Sequence, residues 1–541
     1  MLWGQLPKAE SRDGNTYYAT VCIYRLRFHP LSRYPGPLMA KFFDFYGAYH
    51  ASKTTLHVKT LQDHEKFGSV VRQGPNKLLF NSVNAMGDIY QNERVTKSSA
   101  YLVSQIAPES YGLFNSIDRH MHQTKRKLLG PLLSDRSIRA FEGAMIDQID
   151  VFLKGLSLSC EQPGTPVNMT ERLTYLTVDI TGQFVFGFPL SLQTEESYRF
   201  MIDKTPNFFL NIALQLPFMA GARVTHFKPL RALLRGKGYR HLLHQMIRSH
   251  LAKGQDGKRN LPFMTDTLEV SANDEAFIDE ILTEATFILT AGSDTMSACI
   301  SSVFFYLSRN LECYRRITTE IRSTFSSIDE IRAGSRLAKC SYLRACIDEA
   351  LRMSPPLPGT LWRQQVVPAD GAPSPLVIDG HIIPPGTHIG VNTYAIHHNE
   401  AYFPEPFTYR PERFLEKNST TRGLMKNAFV PFSIGSRACM GKSMAYLEAS
   451  LVLARTIWHY DFARAPNDAG NLGESTYWNE RGMGDRINEY QTKDMLAAAH
   501  DGPCLIFRPL TENAKPPRST LAPETSLVIF AHKHKISSLV I

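Results

Sequence analysis

The chain has 541 residues, 43% of them apolar, and carries a formal net charge of +9 with a pI near 9.0. That apolar share excludes global disorder and is enough for a large buried core. The basic balance suits an acidic protein partner or an anionic membrane surface; no long Lys/Arg block and no aromatic–basic repeat occurs, so no nucleic acid partner is expected.

In chain order, residues 1–35 come first, with YYATVCIY as their best apolar run. It falls well short of the about 20 residues a membrane span needs. The segment also lacks the apolar core of a cleaved signal peptide. Residues 69–90 predict two short strands turning at Gly74-Pro75, then a helix. Helical patterns follow over 118–132, 136–155, 168–187, 197–213 and 226–253. Residues 286–308, TFILTAGSDTMSACISSVFFYLS, are apolar almost all round. Their length would suit a bilayer, but Asp294 at the centre would be costly in lipid. A buried central helix of a large soluble domain is the expectation, and its acid then needs a reason. Short β runs occupy the Pro/Gly-rich stretch 366–391, and an amphipathic helix is expected over 441–459. The sum is a mostly α fold with small β-sheets in one large domain, with its long central helix at the core.

The chain has eight cysteines, and none forms a CxxC pair. Neither a zinc site nor a disulfide framework is indicated, so free and mostly buried thiols are expected. Asn168-Met169-Thr170 and Asn418-Ser419-Thr420 fit the glycosylation pattern, and both are expected to go unused in a cytosol-facing chain.

Cys439 is framed differently, within FSIGSRACMG at 432–441. A thiolate can ligate a metal or attack an electrophile. As a nucleophile it would want a histidine base, and none is close in sequence. As a ligand it would want N–H donors and positive potential. A helix beginning near Gly441 points its N-terminal N–H groups back at the sulfur, which would lower its pKa. Gly435 allows a turn that a Cβ would obstruct, and Gly441 lets backbone pass close to something large and flat. Arg437 offers a fork suited to a carboxylate. A flat macrocycle with carboxylates and a metal is haem.

The stretch resembles the haem-binding loop of the cytochrome P-450 monooxygenases, F-x-x-G-x-R-x-C-x-G, with Phe432, Gly435, Arg437, Cys439 and Gly441 in the fixed positions. A chance match in this length is on the order of one in ten thousand from average composition. Glu349-Ala350-Leu351-Arg352 matches the family's E-x-x-R helix, and Pro411-Glu412-Arg413-Phe414 resembles its PERF segment. The resemblance implies that Glu349, Arg352 and Arg413 form a buried structural cluster behind the haem. Ala291-Gly292-Ser293-Asp294-Thr295 looks like the family's oxygen-activation motif. It implies that Ala291 and Gly292 leave room over the metal and that Asp294 and Thr295 pass protons. The Thr295 hydroxyl would bond the carbonyl of Ala291. His122 and Arg126 stand where family members often carry W-x-x-x-R, and Arg363 resembles a further contact; all three would face haem propionates.

By the same resemblance, the protein is a fungal secondary-metabolism monooxygenase holding haem b through the Cys439 thiolate. It would insert one atom of O2 into an apolar small molecule, with electrons from an NADPH-dependent reductase. Lys125, Arg126, Lys127, Arg136 and Arg139 would form part of a basic docking face. Substrate would meet segments near 100–117, 205–222, 287–295 and 357–362. FHPLSRYPGP resembles the proline-rich hinge of microsomal members, here without a clear apolar anchor before it. Location on the cytosolic face of the endoplasmic reticulum or in the cytoplasm is expected, with weak membrane contact through residues 207–224. Three parts are expected: the segment 1–35, the haem-thiolate domain 36–510, and a flexible extension 511–541. Competing readings of the same fold are an isomerase or dehydratase, and an inactive haem-binding protein. The intact Asp294-Thr295 pair argues against both.

Overall fold

A computed structural model describes residues 14–105, 111–221, 275–366, 375–416, 422–476 and 486–510. The expected helix over 226–253 and the extension 511–541 lie outside the described residues.

The central helix runs Glu275–Arg309, longer at its start than the apolar stretch alone indicated. Its middle and C-terminal half are buried, including Ile300, Val303, Phe304, Phe305 and Leu307. This helix is long and apolar enough to cross a membrane, yet 67% of its apolar stretch is buried inside the fold. Its all-round apolarity is therefore spent on neighbouring helices.

Helix Met169–Phe186 packs along it. The Asn168 side chain accepts from the Thr170 N–H at 3.0 Å and caps this helix, while Gly187 ends it at φ 79°. Helix Asp135–Cys160 starts on a Ser134 cap and buries Phe141, Met145, Ile149, Phe152 and Leu156, one stripe at three-to-four spacing. Helices Ser341–Met353 and Lys442–His459 complete the helical core around the central one.

The pattern read as one helix over 197–213 is two elements, a short 3-10 turn Arg199–Ile202 and a helix Thr205–Leu214. Pro206 explains the break: it lacks an N–H and belongs at a helix start.

The larger sheet orders its strands Val70–Gly74, Lys77–Phe80, His388–Val391, Arg363–Gln365 and Val95–Lys97. The strand–turn–strand–helix expected over 69–90 is present, its helix being Val83–Tyr90. Val95–Lys97 pairs antiparallel with Arg363–Gln365, placing Lys97 directly opposite Arg363. A smaller sheet joins Val167–Asn168, Cys504–Pro509 and Tyr460–Arg464.

Candidate haem-thiolate site

All eight cysteines are among the described residues, and Cys439 alone is exposed. Its N–H donates to the Phe432 carbonyl at 2.9 Å, and helix Lys442–His459 begins three residues on. The loop between turns sharply: Ser433 has φ 57° and Gly435 φ 78°. A Cβ on Gly435 would lie 2.0 Å from the Tyr90 carbonyl oxygen, so glycine is needed for conformation and for room. Gly441 has an ordinary φ of −80°. The nearest atom a Cβ there would meet is the Cys439 Sγ at 3.9 Å, so any demand for glycine comes from the thiol side.

The helix-start effect is present but loses to burial. The Gly441 N–H, Arg126 and Lys442 favour the thiolate, yet burial pushes the Cys439 thiol up overall. Cys439 is exposed as a residue, yet the protein around its thiol solvates a charge poorly. The expected lowering by the helix start alone is thus corrected. A cation bonded to the sulfur would supply what the dipole does not.

Four cations gather near this loop. Arg126 Nη1 donates to the Ala438 carbonyl at 2.7 Å, tying helix Arg119–Leu129 to the cysteine loop. Arg437 donates to the carbonyls of Ser116 at 2.6 Å and Ile117 at 2.8 Å, and to the Thr96 hydroxyl at 3.0 Å. Arg363, buried, donates to the Trp362 carbonyl at 3.1 Å. Lys97, also buried, donates to the carbonyls of Leu113 and Phe114. Burial and then its neighbours Arg363 and Arg437 push the Lys97 ammonium well below its usual range. Arg437 is pushed down to about 10 by burial and Arg363. His122, buried between them, is pushed down to about 3 by burial and then by Arg437, so it is neutral and offers one N–H. Cations facing each other across a strand pair repel. Glu284 beside Lys97 and Asp118 beside Arg437 offset part of this charge, and a flat ligand with two carboxylates beside Cys439 would balance the rest. The donor set therefore fits haem.

Lys97 was not legible in the sequence; only the register that sets it opposite Arg363 brings it to the site. Lys125, assigned to the docking face, is turned inward to Glu284 at 3.1 Å and leaves that face. Lys127, Arg136 and Arg139 are exposed.

On the central helix, Thr295 Oγ1 donates to the Ala291 carbonyl at 2.6 Å, the bond expected. The absent Cβ of Gly292 is accounted for otherwise than expected. It would lie 2.9 Å from Thr181, so this glycine serves close packing with helix Met169–Phe186. Asp294 is buried. Its Oδ2 accepts from Asn207 Nδ2 at 2.9 Å, and Lys204 Nζ stands 3.9 Å from Oδ1. Burial pushes the carboxyl up, against Lys204 and Asn207. Neither partner could be found from sequence, because both lie near 90 residues away, Asn207 on helix Thr205–Leu214 and Lys204 just before it, and only the fold brings them over.

Glu349 and Arg352 meet in two hydrogen bonds of 2.8 Å, and Arg413 Nε reaches the same carboxylate at 2.9 Å. All three are buried. The cluster expected from two separate motifs is one unit.

A further apolar cluster joins Tyr101, Phe114, Leu210, Trp362 and Leu496. Phe114 stacks on Phe287 with centroids 5.5 Å apart. Members of all four expected substrate segments thus meet. Leu496, at the turn of a hairpin between strands Thr492–Met495 and Ala497–His500, was not foreseen.

The helical fold with its small sheets and the loop of Cys439 have counterparts among known proteins whose family carries haem iron on a cysteine thiolate. The cytochrome P450 family model matches residues 33–476. Cytochrome P450 monooxygenase poxM of Penicillium oxalicum is 33% identical over 502 residues, covering 91% of this chain and 93% of the relative. Cytochrome P450 monooxygenase apf7 of Gibberella fujikuroi is 33% identical over 517 residues, covering 90% and 95%. Cytochrome P450 monooxygenase AKT7 of Alternaria alternata is 33% identical over 508 residues, covering 91% and 95%. The chain belongs to the cytochrome P450 family.

Proposed function

We propose that this chain is a haem-thiolate monooxygenase of fungal secondary metabolism, with Cys439 as the axial ligand. The observation that carries this reading is the exposed thiol of Cys439 beside four cations, Lys97, Arg126, Arg363 and Arg437, whose hydrogen bonds run to carbonyl and hydroxyl oxygens. Lys97, Arg363 and Arg437, with the neutral His122, would hold the two propionates, and Arg126 would steady the loop.

Haem bound through a thiolate supplies O2 binding and O–O cleavage. The residues of the chain do the rest. Burial raises the proton affinity of the Asp294 carboxyl, against Lys204 and Asn207, and Thr295 would pass on the proton it takes up. Lys204, partly open to solvent, stands behind the acid on its solvent side. The Thr295 hydroxyl engages the Ala291 carbonyl, a bond that would favour a local groove in the helix. The cluster of Tyr101, Phe114, Leu210, Trp362 and Leu496 excludes water and accepts an apolar substrate.

Electrons would come from an NADPH-dependent flavoprotein reductase docking on the exposed Lys127, Arg136 and Arg139. Membrane contact is supported by exposed Phe28, Leu38, Met39, Phe45 and Phe218, with the Phe45 and Phe218 rings 6.4 Å apart. The test is the carbon-monoxide difference spectrum of the reduced, purified protein. A strongly red-shifted Soret band is expected, and it should vanish in Cys439→Ser. Haem bound with an unshifted band, or no haem, would sink the reading.

A further inference from the structure

We propose that His397 is a positioning residue for the cysteine loop, carrying the placement of the Glu349–Arg352–Arg413 cluster to the segment that leads into Cys439. The inference rests on the reading of Cys439 as the haem ligand.

His397 closes the short helix Thr393–His397 and is fully buried. Its two ends engage two different parts of the fold. The backbone carbonyl accepts from Arg352 Nη1 at 3.0 Å, and the same nitrogen donates to the Pro406 carbonyl at 2.7 Å. The ring faces the other way. Its Nε2 accepts the Val430 N–H at 3.0 Å, and its plane stacks on Phe429 with centroids 5.6 Å apart. Phe429 in turn meets Phe414 of the PERF turn at 4.9 Å.

From Val430 the path to the thiol is short. The Val430 carbonyl accepts the Ser433 N–H at 2.9 Å, and the Phe432 carbonyl accepts the Cys439 N–H at 2.9 Å. Between them the backbone has positive φ at Ser433 and Gly435, and the regular element there, a 3-10 turn Gly435–Arg437, supplies no partner to the Val430 N–H. Each buried N–H there needs an acceptor of its own. Val430 is buried, and His397 is its acceptor.

The ring suits the task only when neutral. An accepting Nε2 leaves the proton on Nδ1, and a protonated imidazole would present a second donor to the Val430 N–H. Burial and Arg352 keep it neutral by pushing it down to about 3. Lysine or arginine at this position would have no acceptor to offer.

The experiment compares His397→Gln with His397→Met in the full chain loaded with haem. The two side chains are similar in length, but glutamine brings a strong acceptor and methionine does not. The readout is the share of reduced protein showing the red-shifted carbon-monoxide band and its lifetime in mild urea. The glutamine variant should stay close to the parent, and the methionine variant should lose the band about ten-fold faster, as expected for one buried donor left unpaired. A methionine variant as persistent as the glutamine one overturns the proposal. Should neither variant fold, amide hydrogen exchange in the unaltered protein decides: a Val430 N–H protected like the core supports the role, and rapid exchange overturns it. A parent lacking the band altogether refutes the ligand assignment itself, which separates that failure from a failure of His397.

Discussion

Replacing Glu349 with alanine should strongly destabilise this protein. Its carboxylate receives two hydrogen bonds from Arg352, one from Arg413 Nε and one from the Arg410 N–H, at 2.8 to 3.0 Å. The side chains of Glu349 and Arg352 have no solvent exposure, and that of Arg413 has 2%. An exposed ion pair would contribute only ~1 kcal/mol or less. Here burial changes the scale, because Glu349→Ala leaves two guanidinium ions in the interior without an anion. Breaking a buried pair from one side costs about 3–5 kcal/mol, a factor of roughly 150 to 5,000 in the folded-to-unfolded ratio. Whole domains are stable by only about 5–15 kcal/mol. The assay is a urea titration of purified parent and variant, followed by circular dichroism. Glu349→Gln, which keeps the volume and one acceptor, should fall between them. A Glu349→Ala midpoint equal to the parent's would refute the reasoning, since it would mean that the two arginines find other compensation.

Three further outcomes are expected. Thr295→Ala should uncouple electron use from product by on the order of ten-fold, with peroxide released, because it removes the hydroxyl that can pass a proton on from Asp294; product and NADPH counted together check it, and equal coupling would remove Thr295 from the relay. Gly435→Ala should give little folded protein, since its Cβ would lie 2.0 Å from the Tyr90 carbonyl oxygen at φ 78°; the soluble yield and urea midpoint report it. Glu448, on the helix after Cys439, is buried, its Oε1 has no hydrogen-bond partner among the described residues, and burial pushes it up to about 8. The folded state then keeps a proton that the unfolded chain releases near pH ~4.3. That contribution is full below the unfolded value and is lost as pH rises through about 8. Glu448→Gln should flatten the decline and leave the variant more stable than the parent at high pH, measured as urea midpoints across that range.

Much was legible in the sequence because the signals are local. FSIGSRACMG carries its turn residue, its thiol and the start of the next helix within ten positions. The apolar run around Asp294 announces a core helix, and the Thr295–Ala291 bond follows from helical spacing alone. Strand, turn and helix over 69–90 likewise depend on neighbours in the chain. What the sequence could not decide is what comes together from afar. Lys97 becomes part of the site only through pairing with Arg363, some 270 residues on, and a slip of one residue would turn it to the other face. Asn207 and Lys204 reach Asp294, and His397 reaches Val430, through packing that no local pattern encodes. The same holds in reverse: Gly292 looks like space over a metal until Thr181 is seen beside it, and Lys125 looks like surface until Glu284 takes it inward. Local chemistry is written in spacing, whereas burial and partner choice belong to the assembled core, where desolvation decides which charges need company.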